Sequence, residues 1–131
     1  MNKYLKIVLI FFLCLIVLSA GFLFYLSRGL GDGIDLSINE IDLQNLEDGI
    51  YRGRYDGGRW SNELEIEIKN NQIVDVYIVE DLSFVLPEVR DDLFLQVMDQ
   101  QSLDVDIISG STVTSKAYLK AIENALAKLF F

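Results

Sequence analysis

Residues 7–26 of the chain carry no charge and are almost entirely apolar. No other feature restricts the fold as much. A bilayer core is about 30 Å thick, and about 20 apolar residues in a helix span it. The run therefore predicts a single transmembrane helix. Lys3 and Lys6 precede it and Arg28 follows it. Positive charge at the leading end predicts a cytoplasmic N-terminus and a C-terminal part outside the cytoplasm. The expected location is the cell membrane, single-pass, with membrane lipid as one partner. A cleaved signal peptide is the alternative, because Ser19, Ala20 and Gly21 are small enough for a cleavage site. The apolar run continues through Phe22, Leu23 and Phe24, which a cleaved signal does not require. Cys14, inside the run, reads as a small membrane-buried side chain.

The chain beyond the run is strongly acidic. Residues 29–131 hold all 20 acidic groups and eight of the 11 basic ones, within a chain of net charge −9. Nucleic acid is excluded as a partner, since phosphate recognition needs clustered Lys and Arg. The chain has no His and one Cys, so a His-based triad, a His- or Cys-cluster metal site and an internal disulfide are all excluded. Asp91-Asp92 and the Asp104/Asp106 pair lack the organised oxygen-rich loop that hard cations require, so no metal is expected.

The chain divides into a cytoplasmic stub and anchor (1–28), a tether (29–45) and a folded domain (46–131). Gly29, Gly31 and Gly33 mark the tether as turn-rich rather than packed. Residues 50–55 read as a short strand, and 63–69 alternate Glu with Leu64, Ile66 and Ile68, which predicts a half-buried strand. Asn70-Asn71 suits the positive-φ positions of a two-residue hairpin. Residues 73–79 form the returning strand and, being more apolar, are expected to be the more central. Val89, Leu93 and Val97 predict a helix over 87–101 that Pro87 opens. A short last strand is expected at 105–108, then a helix over 114–130 with Tyr118, Ile122, Ala125, Leu126 and Leu129 on its apolar face. The fold class is α+β: a small antiparallel sheet with two main helices, preceded by one transmembrane helix.

One stretch differs chemically from the rest. Between Asp106 and Lys116, five hydroxyl residues (Ser109, Ser111, Thr112, Thr114 and Ser115) accompany Gly110 and Val113 where the last helix begins. The first amides of a helix lack internal partners and carry positive partial charge, so they bind phosphate and other anions. Gly110 allows close backbone approach, and Lys116 adds a cation. Hydroxyl residues are also ordinary N-caps. On spacing alone the stretch reads either as capping or as an anion site. It is neither a phosphate loop nor a nucleophile elbow, because the glycines and lysine those motifs need stand elsewhere.

Residues 106–112 resemble the flavinylation motif of the FMN-binding domain family, which includes subunits of bacterial Na⁺-pumping and Rnf-type electron-transport complexes. The family pattern is Asp, two variable residues, Ser or Thr, Gly, Ala, Thr, with Ser111 here in the Ala position. Residues 48–53, 101–106, 115–117 and 121–126 are similar to the family's opening strand, its approach to the motif and its closing helix. The resemblance implies FMN as cofactor, attached through a phosphoester to Thr112 by a dedicated flavin transferase. It implies that Ser109, Gly110, Ser111, Val113, Thr114, Ser115, Lys116 and Asp106 surround the attachment point. It also implies an electron carrier rather than a stand-alone enzyme, exchanging electrons with a membrane redox partner or a second flavoprotein. Gly57-Gly58 resembles the family's glycine pair. Residues 83–87 lack the Gly of a Thr-Pro-Gly loop found in many relatives. Trp60 or Tyr55 either stacks on the flavin ring or belongs to the core. Two alternatives remain: a reversible FMN-binding or sensory module, and a cofactor-free interaction domain.

Overall fold

The computed structural model describes residues 2–107 and 111–127. It begins with α1 (Lys3–Ser27), a continuous helix with no buried residue and a mean hydropathy of 3.1 over its most apolar window. At 1.5 Å per residue, α1 is about 37 Å long, enough to cross a membrane by length and composition. A short helix, α2 (Leu30–Ile34), follows. Then come β1 (Gly49–Tyr55), a 3-10 turn at Gly58–Trp60, β2 (Asn62–Lys69), β3 (Gln72–Glu80), α3 (Pro87–Gln100) and α4 (Thr112–Ala127). This is the expected α+β arrangement.

The sheet is an antiparallel meander in the order β1-β2-β3. Lys69 pairs with Gln72 across Asn70 and Asn71, whose φ values of 54° and 62° are those of a two-residue hairpin. Tyr55 pairs with Asn62 at the other connection. Two hairpins in succession place the middle strand in the middle, so β2 is central and β3 is an edge, contrary to the expectation from composition. The extra apolar residues of β3, Val74 and Val79, are exposed. On the open face of β1 and β2, Arg52 pairs with Glu63 at 2.9 Å, while Arg54 reaches Glu80 on β3 at 2.6 Å. Exposed pairs of this kind add little stability. They keep the face wet.

The opposite face carries the core. Leu64, Ile66 and Ile68 from β2 are at most 1% exposed and lie under α4, which contributes Tyr118, Leu119, Ile122 and Leu126. α3 adds Leu93, Phe94 and Val97, with Phe94 edge-on to Tyr118 at 5.4 Å. α3 ends at Gln101, which has φ 53°. Its side-chain amide bonds both backbone groups of Ile73, accepting the N–H at 2.6 Å and donating to the carbonyl at 2.9 Å. That tie fixes the start of the edge strand.

The short strand expected at 105–108 does not form at 105–107, and residue 108 lies outside the described residues. The Asp106 N–H instead donates to the Gln96 side chain at 3.2 Å. α4 begins at Thr112, two residues earlier than its apolar stripe suggested, because the Ser111 carbonyl already accepts the Ser115 N–H at 2.9 Å. Residues 128–131, including Leu129, lie outside the described residues.

The stretch 29–45, read as a loose tether, carries α2 and lies along the domain. Ile38, Ile41 and Leu43 pack on the core. Buried Glu123 accepts the Asn39 N–H at 3.1 Å and pairs with Lys120 at 2.6 Å. Glu40 accepts from the Ser102 hydroxyl at 2.8 Å and the Leu103 N–H at 3.1 Å. Partial burial works to raise its carboxyl pKa, but the hydrogen bonds from Leu103, Ser102 and Ile41 outweigh it and hold the group below its ordinary value. A depressed folded-state pKa contributes stability above the unfolded value, about 4.3, and loses it as pH falls through the folded value. Glu40→Gln therefore flattens the acid limb. In denaturant titrations of the full chain in detergent, the gap between wild type and variant narrows from pH 6 to pH values below about 4. A gap that stays constant over that range contradicts the assignment.

Candidate functional site

The start of α4 opens into a cavity of about 550 Å³ lined by Thr112, Val113 and Thr114 together with Leu30, Ile34, Arg59, Trp60, Phe84 and Leu86. Three separate pieces of chain meet there: α2, the 3-10 turn, and the loop before α3. α2 is held by Gly33, where any side chain would collide with Val113, and by the Lys116 ammonium, which donates to the Ile34 carbonyl at 2.9 Å. The loop is held at its root. Asp81 accepts from the Tyr118 hydroxyl at 2.6 Å and pairs with Arg90 at 2.6 Å, and the Ser83 N–H donates to the Arg59 carbonyl at 3.0 Å. Burial, and then the bond to Asp81, push the Tyr118 hydroxyl well above its ordinary pKa, so it stays a donor.

The wall chemistry is selective. No Asp or Glu lines the cavity among the described residues, although the chain holds 20 acids. The one charged lining residue among those described is Arg59, whose guanidinium lies 4.1 Å from the Trp60 ring centroid and 5.5 Å from that of Phe84. Cation–π contact with two rings keeps the positive charge at the wall. At the floor, Thr112 to Thr114 form the first turn of α4, whose amides have no acceptor within the helix. Arg59 and this turn both favour an anion, while Trp60, Phe84, Leu30, Ile34 and Leu86 offer a flat apolar surface.

The hydroxyl-rich stretch is thus divided by the fold. Thr112, Val113 and Thr114 face the cavity. Ser111 caps the helix, and Ser115 is 1% exposed in the core. Lys116 lines a different cavity, of about 540 Å³, with Glu40 and Asp104. Asp106 is exposed and lines neither. Ser109 and Gly110 lie outside the described residues. Trp60 is at once core, 4% exposed, and cavity wall, with the Arg59 guanidinium over its ring. Tyr55 packs on the core and does not line the cavity. Gly57-Gly58 meets the chain leaving α1 instead. Gly58 has φ 62°, and a side chain there would strike the Arg28 carbonyl.

Arg59, Leu30 and Ile34 were not singled out by the sequence pattern. A lone Arg beside a Trp, in a chain short of cations, was the available signal for Arg59. For Leu30 and Ile34 there was none, because five residues are too few to show a helical period.

The cavity suits a planar, partly apolar group carrying a phosphate: the anion at the first turn of α4, the ring against the apolar wall. The sequence profile of the FMN-binding domain matches residues 58–127, more than half of the chain, and spans Arg59, Trp60, the 83–86 loop and Thr112. No curated protein matches the chain significantly. FMN is the cofactor that this match indicates, and the chain belongs to the FMN-binding domain family.

Proposed function

We propose that the protein is a membrane-anchored, extracytoplasmic electron carrier that holds FMN covalently, through a phosphoester between its phosphate and the Thr112 hydroxyl. The observation that carries this reading is the position of Thr112: half-buried, on the first turn of α4, in the wall of a cavity whose only charged lining residue, among the described residues, is an arginine. The first-turn amides receive the phosphate. Arg59 sets a positive charge against the ring or the phosphate, and Trp60, Phe84 and Leu86 keep water from the ring. FMN supplies the redox chemistry; the chain supplies attachment, orientation and tuning. Ser111 supplies the carbonyl that opens the helix, and Ser115 is buried in the core. Maturation needs a flavin transferase and an FMN donor activated as a phosphoanhydride, whose anhydride bond breaks as the Thr112 oxygen loses its proton and bonds to phosphorus; turnover needs a membrane redox partner or a second flavoprotein.

The anchor reading is supported by α1 itself. It buries none of its residues, and Phe22, Leu23 and Phe24 are 58%, 64% and 72% exposed. Cleavage after residues 19–21 would leave those three side chains in water. Lipid covers them instead, with residues 1–28 as stub and anchor, and 46–131 as the FMN-binding domain, along which residues 29–45 pack. The full chain, produced with a flavin transferase and run on a denaturing gel, shows a band that fluoresces under ultraviolet light at full-chain mass. A dark band beside an active control substrate contradicts covalent attachment. Flavin released on denaturation leaves reversible binding.

A further inference from the structure

The last turn of α1 does not end free of the domain. The Tyr25 hydroxyl lies 3.1 Å from the Ser83 hydroxyl, and Arg59 Nε donates to the Leu26 carbonyl at 2.9 Å. Just beyond, Gly29 (φ 85°) and Gly58 (φ 62°) allow backbone-to-backbone approach between the chain leaving α1 and the 57–58 turn. The uncharged run ends at Leu26. Its twenty residues take up about 30 Å, the whole hydrocarbon thickness. Tyr25 and Leu26 therefore sit at the membrane–water boundary, and anything bonded to them sits there too.

The loop before α3 is bonded to Tyr25 through the Ser83 hydroxyl, and its Ser83 N–H donates to the carbonyl of Arg59, the residue that holds Leu26. Phe84 and Leu86 are 50% and 48% exposed, so half of each large apolar side chain is uncovered, while both also line the Thr112 cavity. Beside them stand Tyr25, a residue type enriched at membrane–water interfaces, and Arg59, whose guanidinium lies 5.5 Å from the Phe84 ring centroid and whose long stem lets the charge reach the headgroups. Glu88, exposed in the first turn of α3, limits the depth. A carboxylate that close to Leu86 keeps the loop at the boundary and out of the hydrocarbon centre.

We propose that the 83–86 loop, together with Tyr25, is a lipid-contact surface that seats the FMN cavity against the outer membrane boundary. This rests on α1 being a membrane span. It makes the membrane itself one border of the cavity, so that an electron partner reaches the flavin from the lipid side rather than from bulk water.

The test uses the flavin-loaded full chain in phosphatidylcholine–phosphatidylglycerol vesicles, with Cys14→Ser to remove the native thiol. A thiol-reactive dye is placed singly by Phe84→Cys, Leu86→Cys, Val17→Cys or Gln72→Cys, and is challenged with lipid brominated near the headgroup and with aqueous iodide. Val17 marks the span, and Gln72, at the β2–β3 hairpin, marks water. The expected result is loss of most dye emission at 84 and 86 with brominated lipid, and none at 72. If 84 and 86 respond to iodide as 72 does while 17 is shielded from iodide, α1 spans the membrane and the loop contact is wrong. Shielding of 84 and 86 from both quenchers means that flavin or protein covers them, which also overturns the proposal. If 17 is open to iodide, the membrane span itself fails and the contact with it. Leu86→Cys guards against a local effect of changing Phe84.

Discussion

Thr112→Ala removes covalent flavin completely and leaves the domain folded. Thr112 stands one residue inside α4, after Ser111, whose carbonyl accepts the first helical hydrogen bond. The cap is therefore untouched by the substitution. Ala is also the better helix former, so stability changes by less than about 1 kcal/mol. Two neighbouring hydroxyls do not substitute for the lost one. Ser111 is 9% exposed at the cap, and Ser115 is 1% exposed in the core. Thr114 also lines the cavity but is 8% exposed, whereas Thr112 is half-buried and open to a transferase. Thr112→Ser keeps the hydroxyl and retains the band. In-gel fluorescence reads the flavin, and a circular dichroism melt reads the fold. Fluorescence that survives Thr112→Ala moves the bond elsewhere.

The largest stability loss is expected from a position that does not line the Thr112 cavity. Gly53 lies in β1 opposite Leu64, with α4 pressed on it. A methyl group there would stand 2.5 Å from the Ala125 nitrogen and 2.6 Å from the Ala125 side chain, and would also collide with the Ala121 carbonyl. Two of these neighbours are helix backbone and cannot swing away. Overpacking of a tight core costs about 1–3 kcal/mol and more where nothing yields. Gly53→Ala should sit at or above about 3 kcal/mol, against a total of about 5–15 kcal/mol for an ordinary domain. Urea denaturation in detergent measures it. A loss below about 1 kcal/mol would contradict so close a contact. Because α4 carries Thr112 at its start, the same variant should also load less flavin.

These two sites differ in how far the sequence announced them. Thr112 stood in a local motif beside a helix start, and both are short-range features. The Asn70-Asn71 hairpin and the Glu/Ile alternation of β2 were legible, because turn chemistry and a period of two are written within eight residues. The failures were long-range. β3 looked central because it is apolar, but strand order follows from connectivity, and Val74 and Val79 were left exposed. The expected strand at 105–108 yielded at 105–107 to a bond that the Asp106 N–H donates to the Gln96 side chain. The bond from the Lys116 ammonium to the Ile34 carbonyl was likewise out of reach of a reading of 29–45 as a loose tether. Arg59 and α2 enter the cavity only through tertiary packing, as does the Gly53 contact.

One bond carries the proposed function, that between a flavin phosphate and the Thr112 hydroxyl. Tandem mass spectrometry of the peptide carrying residues 106–116, from full chain matured with a flavin transferase, addresses it most directly. The predicted spectrum places an FMN phosphoester on Thr112 and leaves Ser109, Ser111, Thr114 and Ser115 unmodified. An adduct on any of those residues, or a peptide without one from a transferase-competent preparation, contradicts it.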